Sequence, residues 1–309
     1  MNFINNEYIK DDGTSPSRAK IGGTSSKRIV YVKTSYLKQF ISEIKSGNDN
    51  YICYANDLIK SGYTPEYVKA VVKAPRGSNI SFLQNNSHIF NEILASRMAN
   101  ELDLKTAYAI DMSINQRPHA IVLYFLKENE NIMDFNKFSG LEDDVTLPMS
   151  KWHEYIVEAF KFRYPDMSDD ERNVLIDKFV LDFSQLYFFK TFIIGDGDFS
   201  FRNVVVINDG TNSYLGPSHD NEMGFDAFCT GTNIKQDFFD DFAQFMMNYN
   251  PKVFNTLIQK TTKLSRNIDD IITKEIYDEE EQIRLKRFCN ARFQSLFNCI
   301  NNFENNKEL

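Results

Sequence analysis

Ile194-Gly195-Asp196-Gly197-Asp198-Phe199-Ser200-Phe201-Arg202-Asn203-Val204-Val205, followed by Asp220-Asn221-Glu222-Met223-Gly224, is the most chemically loaded part of this chain. Asp198 and Asn203 stand five residues apart, in a polar loop that an apolar helix enters and an apolar strand leaves. Phosphoryl transfer needs a carboxylate to orient the attacking hydroxyl. It also needs an amide oxygen and a second carboxylate to hold magnesium against the phosphates. In protein kinases the first two come from a catalytic-loop Asp and the Asn five residues on, and the third from an Asp beyond a short hairpin. Asp198, Asn203 and Asp220 fit those roles. Val204 to Ile207 is a β-branched run, Asn208-Asp209-Gly210-Thr211 is turn chemistry, and Tyr214-Leu215-Gly216 starts a return strand that would bring Asp220 back beside Asn203. The competing reading is a tight turn at Asp196-Gly197-Asp198 with Asn203 and Asp220 as caps. Two acidic residues and an Arg between Gly195 and Asn203 are more charge than such a turn requires.

The segments around the loop are largely helical. Asp169 to Phe192 carries an apolar face of Phe179, Phe183, Leu186, Tyr187 and Phe189, and Ser168 followed by Asp169-Asp170-Glu171 is a helix start. Trp152 to Tyr164 precedes it. Asp237 to Tyr249, Val253 to Leu264 and Asp278 to Phe303 follow as three more amphipathic helices, with Pro251 opening the second and Asn301 to Leu309 read as a polar tail. The Phe238, Phe239, Phe242 and Phe245 cluster is expected to be packing.

Upstream, the pattern changes to strands. Ile29 to Val32, Tyr67 to Ala74, Tyr108 to Met112 and Ala120 to Phe125 read as a small sheet, and His88 to Leu102 as a helix with Glu92 off its apolar stripe. Short amphipathic stretches at Tyr36 to Lys45 and Tyr54 to Ile59 carry no chemistry. Lys73 ends a strand among apolar neighbours, nineteen residues before Glu92. A strand Lys steadied by a helix Glu contacts nucleotide phosphates in kinases; the alternative is a solvated charge pair. Two small-residue turns, at 13–20 and at 22–27, could each fold backbone N–H groups over phosphates. Neither has P-loop spacing, and a plain hairpin remains open. A hinge is expected near Phe125 to Lys127. Beyond it, residues 129–150 read as a connection in which Met133-Asp134-Phe135 could form a short helix.

The whole chain sets bounds. Its 309 residues, 42% hydrophobic and 14% aromatic, can bury a large core in two lobes. A net charge of −8 argues against bulk nucleic-acid binding. Cys53, Cys229, Cys289 and Cys299 show no paired spacing and are expected reduced. The first ten residues lack a signal sequence and no eighteen-residue apolar run occurs, so the expected location is the cytoplasm with no membrane contact.

The string from Ile194 to Asn203 resembles the HipA-like serine/threonine kinases, whose pattern reads roughly Ile-Gly-Asn-x-Asp-x-His-x-Lys-Asn. The resemblance makes Asp198 the catalytic residue and Asn203 a metal ligand. Pro217-Ser218-His219-Asp220 falls where the family has a Pro-x-Tyr-Asp-like segment, making Asp220 the second ligand. Val71-Val72-Lys73-Ala74-Pro75 is similar to the family's strand ending in Lys-Phe-Pro, and Asn91-Glu92-Ile93 to its helix start. Gly22, Gly23, Ser25, Ser26 and Lys27 resemble its phosphate-covering loop, with Ser25 or Ser26 as autophosphorylation candidates; the loop at 13–20 resembles a longer variant. Here Asp196 stands for the family's Asn, Ser200 for its His and Arg202 for its Lys, and an Arg can still hold a phosphate. The resemblance implies an α+β, two-lobed kinase fold, with a β-rich lobe over residues 1–126 and a larger helical lobe over 127–309. It implies ATP and Mg2+ as cofactors, a protein substrate phosphorylated on Ser or Thr, and a helix-turn-helix antitoxin partner. The alternatives are a nucleotide-binding pseudokinase or scaffold, and a lipid or small-molecule kinase like the type II phosphatidylinositol kinases.

Overall fold

The computed structural model describes residues 9–11, 27–33, 67–73, 87–104, 106–114, 117–123, 131–140, 151–218, 221, 223–226 and 231–307. Within them, the first third forms a five-stranded antiparallel sheet in the order β1-β2-β3-β5-β4, where β1 is Ile9–Asp11, β2 Lys27–Lys33, β3 Tyr67–Lys73, β4 Tyr108–Ile114 and β5 Arg117–Leu123. In this register Lys73 opposes Lys27 on one side and Ala120 on the other. The amphipathic stretches at 36–45 and 54–59 lie outside the described residues.

Helix α1, Ser87–Glu101, joins β3 to β4 and packs on β4 and β5. Every residue in it except Arg97 and Glu101 is buried. A helix covered on all sides carries no solvated face, which is why polar residues such as Asn91 and Glu92 lie inside rather than on a wet flank. The helix stops where Asp103 adopts a left-handed φ of 57° and Leu104 N–H turns back to Ala99 O at 2.9 Å.

The remainder is helical around a second, three-stranded sheet in the order β6-β7-β8: β6 Asn131–Asp134, β7 Val205–Asn208 and β8 Ser213–Leu215. Met133 and Asp134 therefore belong to a strand, and the short helix α2 runs Phe135–Ser139. Asp134 is its cap, accepting the Lys137 N–H at 2.8 Å, so it could not also be helical. Helices α3, Trp152–Arg163, and α4, Asp169–Phe188, follow. At the start of α4 Ser168 accepts from Glu171 N–H, as its acidic first turn suggested.

Three helices close the chain: α5 Gln236–Tyr249, α6 Pro251–Glu275 and α7 Glu279–Lys307. Two are longer than their expected spans. Ile268 and Ile272 continue the buried stripe of α6 beyond Leu264. The expected polar tail from Asn301 is the last part of α7, held by buried Phe303 edge-on to Phe239. A salt bridge of 2.8 Å from Arg97 to Glu275 ties α1 to the end of α6. Burial is the largest single influence and pushes the Glu275 carboxyl up, but the charges and hydrogen bonds of Arg97 and Lys274 together outweigh it and hold the acid below its usual range.

The core is an aromatic stack. Phe183 lies parallel to Phe201 at 5.7 Å, and Phe201 meets Phe135 at 4.8 Å, so α4, α2 and the polar loop converge on one set of rings. Buried Phe239 and Phe242 pack on Phe192, as expected, while Phe238 is 39% exposed. Cys289 and Cys299 are free and buried, and burial raises both thiols.

Gly216 follows β8 where the chain presses on β7, its N–H donating to Val205 O at 2.8 Å. A Cβ there would sit 2.4 Å from Val205 Cγ1. Gly216→Ala is expected to lower unfolding free energy by about 1–3 kcal/mol, read from urea melts.

Candidate active site

The loop begins where α4 gives way to a single π-helical turn, Phe189–Ile193, closed by Ile194 N–H to Phe189 O at 3.0 Å. Such turns insert an extra residue and leave carbonyls without their usual partners. Arg292 of α7, 5% exposed, supplies donors: Nε reaches Phe192 O at 3.0 Å and Nη2 reaches Thr191 O. Burial pushes its guanidinium down to about 10, which still leaves it charged at neutral pH.

Gly195 then takes a φ of 58°, a left-handed conformation that suits glycine. Asp196 follows, buried, with Oδ2 2.8 Å from Lys190 Nζ. Its Oδ1 accepts the Asp198 N–H at 3.1 Å. Asp198 itself is exposed. After it the chain dips into the aromatic stack at Phe199 and Phe201, and a short 3-10 turn over Phe201–Asn203 returns it to β7. Arg202 is exposed and Asn203 half-buried. Ser200 Oγ is buried with no hydrogen-bond partner.

Asn203 is joined to Asp198 by its side chain. Nδ2 donates to the Asp198 carbonyl at 2.6 Å, while the Asn203 N–H bonds Ser200 O at 2.9 Å. The backbone of Asp198 is thus gripped at both ends, its N–H by Asp196 and its C=O by Asn203. With Nδ2 committed, the Asn203 amide offers Oδ1, the kind of neutral oxygen donor that Mg2+ accepts. An exposed aspartate and a neutral amide oxygen on one short loop are the donor types that a magnesium nucleotide accepts.

Glu92 is fully buried, which rules out a solvated charge for this residue. Its Oε2 accepts the Asn221 backbone N–H at 2.7 Å and its Oε1 the Asn221 Nδ2 at 3.2 Å. Next to it, Asn91 Nδ2 donates to Gly224 O at 2.7 Å. Ser218 is held by Ala107 N–H to Ser218 O at 2.8 Å. The residues on either side of position 220 are therefore anchored to α1 and to the approach to β4. Asp220 itself, with Gly22, Gly23, Ser25 and Ser26, lies outside the described residues; Lys27 and Lys73 are described as register partners at strand ends.

Sequence reasoning missed Lys190, Arg284 and Arg292, and named Asn91 only as part of a motif. Lys190 left a signal: it interrupts the run Phe188-Phe189-Lys190-Thr191-Phe192, and a lysine in an apolar stretch is buried only when paired. Arg284 of α7 left none. It donates to Phe225 O at 2.9 Å and Asn91 Oδ1 at 2.6 Å, across more than fifty and more than a hundred residues.

No protein-family model and no curated protein sequence matches the chain. Among solved structures, the Helicobacter pylori proinflammatory kinase CtkA matches with a TM-score of 0.56 at 11% identity, over 96% of this chain and 96% of that one. HipA of Shewanella oneidensis MR-1, solved with HipB and operator DNA, matches with a TM-score of 0.48 at 15% identity, over 78% of this chain and 60% of its own. No helix among the described residues is long and apolar enough to cross a membrane. The chain shares its fold with the kinase CtkA over nearly its whole length.

Proposed function

We propose that this chain is a serine/threonine-protein kinase of the HipA-like kind, moving a phosphoryl group from Mg-ATP to a protein hydroxyl. The observation that carries this reading is the 2.6 Å bond from Asn203 Nδ2 to the Asp198 main-chain carbonyl, which ties the backbone of an exposed aspartate to a residue whose amide oxygen suits magnesium. In this reading residues 1–126 form a β-rich lobe over the nucleotide and residues 127–309 the lobe that carries the loop. Asp198 orients the acceptor hydroxyl and takes its proton, while Asn203 and Asp220 hold metal. Bound magnesium would neutralise charge on the phosphates. Lys73 contacts those phosphates, with Glu92 fixing the helix beside it, and the Gly22 to Lys27 loop covers them. Arg202, exposed on the loop, would hold a phosphate. A helix-turn-helix antitoxin partner belongs to the same reading, with no direct nucleic-acid or membrane contact.

Incubation with γ-labelled ATP and magnesium, in the presence of bacterial protein extract and phosphatidylinositol vesicles, tests it. Label is expected on Ser or Thr of protein, and Asp198→Ala is expected to reduce it by about 10²–10⁴-fold. Label on lipid favours the lipid-kinase alternative. ATP binding without transfer from the wild-type chain favours a pseudokinase.

A further inference from the structure

Lys190 and Asp196 form an ion pair of 2.8 Å with side chains only 1% and 0% exposed, directly beneath the loop. Two charges so deeply buried persist only when each answers the other and their remaining capacity is hydrogen-bonded. Here that capacity is directed at the loop. The second oxygen of Asp196 accepts the Asp198 N–H at 3.1 Å. The Asp196 N–H returns to Lys190 O at 2.8 Å, so residue 190 grips residue 196 through both main chain and side chain. Phe199 is engaged too: its N–H bonds Asp196 O at 3.3 Å, and the Lys190 ammonium lies 5.8 Å from its ring centroid. The residue that meets the acceptor is thus fixed at its own N–H and through its successor.

We propose that Lys190 and Asp196 act together as positioning residues for Asp198, a charged pair doing what a neutral Asn at 196 would do alone. An Asn could accept the same N–H through its amide oxygen and would need no cation. An Asp requires one, and the π-helical turn delivers it. The two positions should therefore change as a unit. This rests on the reading of Asp198 as the residue facing the acceptor, so the test includes a readout independent of turnover.

Wild type, Lys190→Met, Asp196→Asn, Asp196→Ala and the double variant Lys190→Met with Asp196→Asn are compared by kcat, KM for ATP, and amide hydrogen exchange of the peptide spanning 195–203. Lys190→Met should lower kcat about a hundredfold with KM nearly unchanged, because a loop displaced by about an ångström misaligns the acceptor. Exchange in the peptide should speed up. The double variant should regain most of the kcat and the protection. Asp196→Asn keeps an acceptor for the Asp198 N–H but strands the buried Lys190 charge, so it should lose part of the protection and Asp196→Ala more, a contrast that serves if Lys190→Met does not fold. A double variant no better than Lys190→Met, or Asn and Ala variants that behave alike, overturns the proposal. Wild-type protein that transfers no phosphate overturns the proposed function instead, and the exchange comparison alone then decides the pairing.

Discussion

Asn203→Ala is expected to lower phosphoryl transfer by about 10²–10³-fold, the scale of removing one preorganised group that stabilises transition-state charge. Two losses combine. The amide oxygen offered to magnesium disappears, and so does the Nδ2 donor that holds the Asp198 carbonyl at 2.6 Å. Stability should change by only about 1 kcal/mol, since one hydrogen bond at a half-exposed site is lost. Asn203→Asp separates the two effects: it keeps an oxygen for metal and removes the donor. Steady-state rates across a magnesium titration check this. The Ala variant should need more magnesium, whereas the Asp variant should lose kcat with a smaller change in magnesium requirement.

Arg284→Met is expected to cost about 2–3 kcal/mol in unfolding free energy, the penalty for breaking a buried pair reduced by the partial exposure of the arginine. Arg284 joins three elements. Nε and Nη2 meet Glu281 on its own helix, at 2.9 and 2.6 Å, and Glu281 in turn accepts from Ser87 at the start of α1. Nη2 also reaches Asn91, and Nη1 the Phe225 carbonyl, at a residue held at a positive φ of 61°. Removing the guanidinium leaves Glu281, 2% exposed, as a buried carboxylate without that cation. Urea unfolding measures the cost. Because Asn91 and Glu92 hold the segment at Asn221 and Gly224, transfer activity should fall in parallel.

These two sites show what can be read along a chain and what cannot. Asp198 and Asn203 are five residues apart, so their relationship is local, and the hairpin after them carries its own turn residues. The helix start at Ser168 and the strand at Tyr67 were legible for the same reason. Glu92 was recognisable as a candidate, yet its bonds to Asn221 span 129 positions and no periodicity announces them. The Lys190 to Asp196 pair spans only six residues but depends on a π-helical turn, which a 3.6-residue pattern does not anticipate. Helices α6 and α7 outran their expected limits because their last turns are mostly polar and are held by a few buried residues, Ile268, Ile272 and Phe303. Strand β6 was hidden because four residues are too few to display alternation.

In the proposed mechanism Asp198, Asn203 and Asp220 meet around the phosphates of a magnesium nucleotide. A crystal structure with magnesium and a non-hydrolysable ATP analogue tests it most directly. Asn203 Oδ1 and an Asp220 oxygen are expected within about 2.1 Å of a metal ion. The Asp198 carboxylate is expected to face the terminal phosphate without binding that ion. A nucleotide seated elsewhere, or an Asp220 carboxylate turned away from Asp198 with no cleft between them, would contradict it.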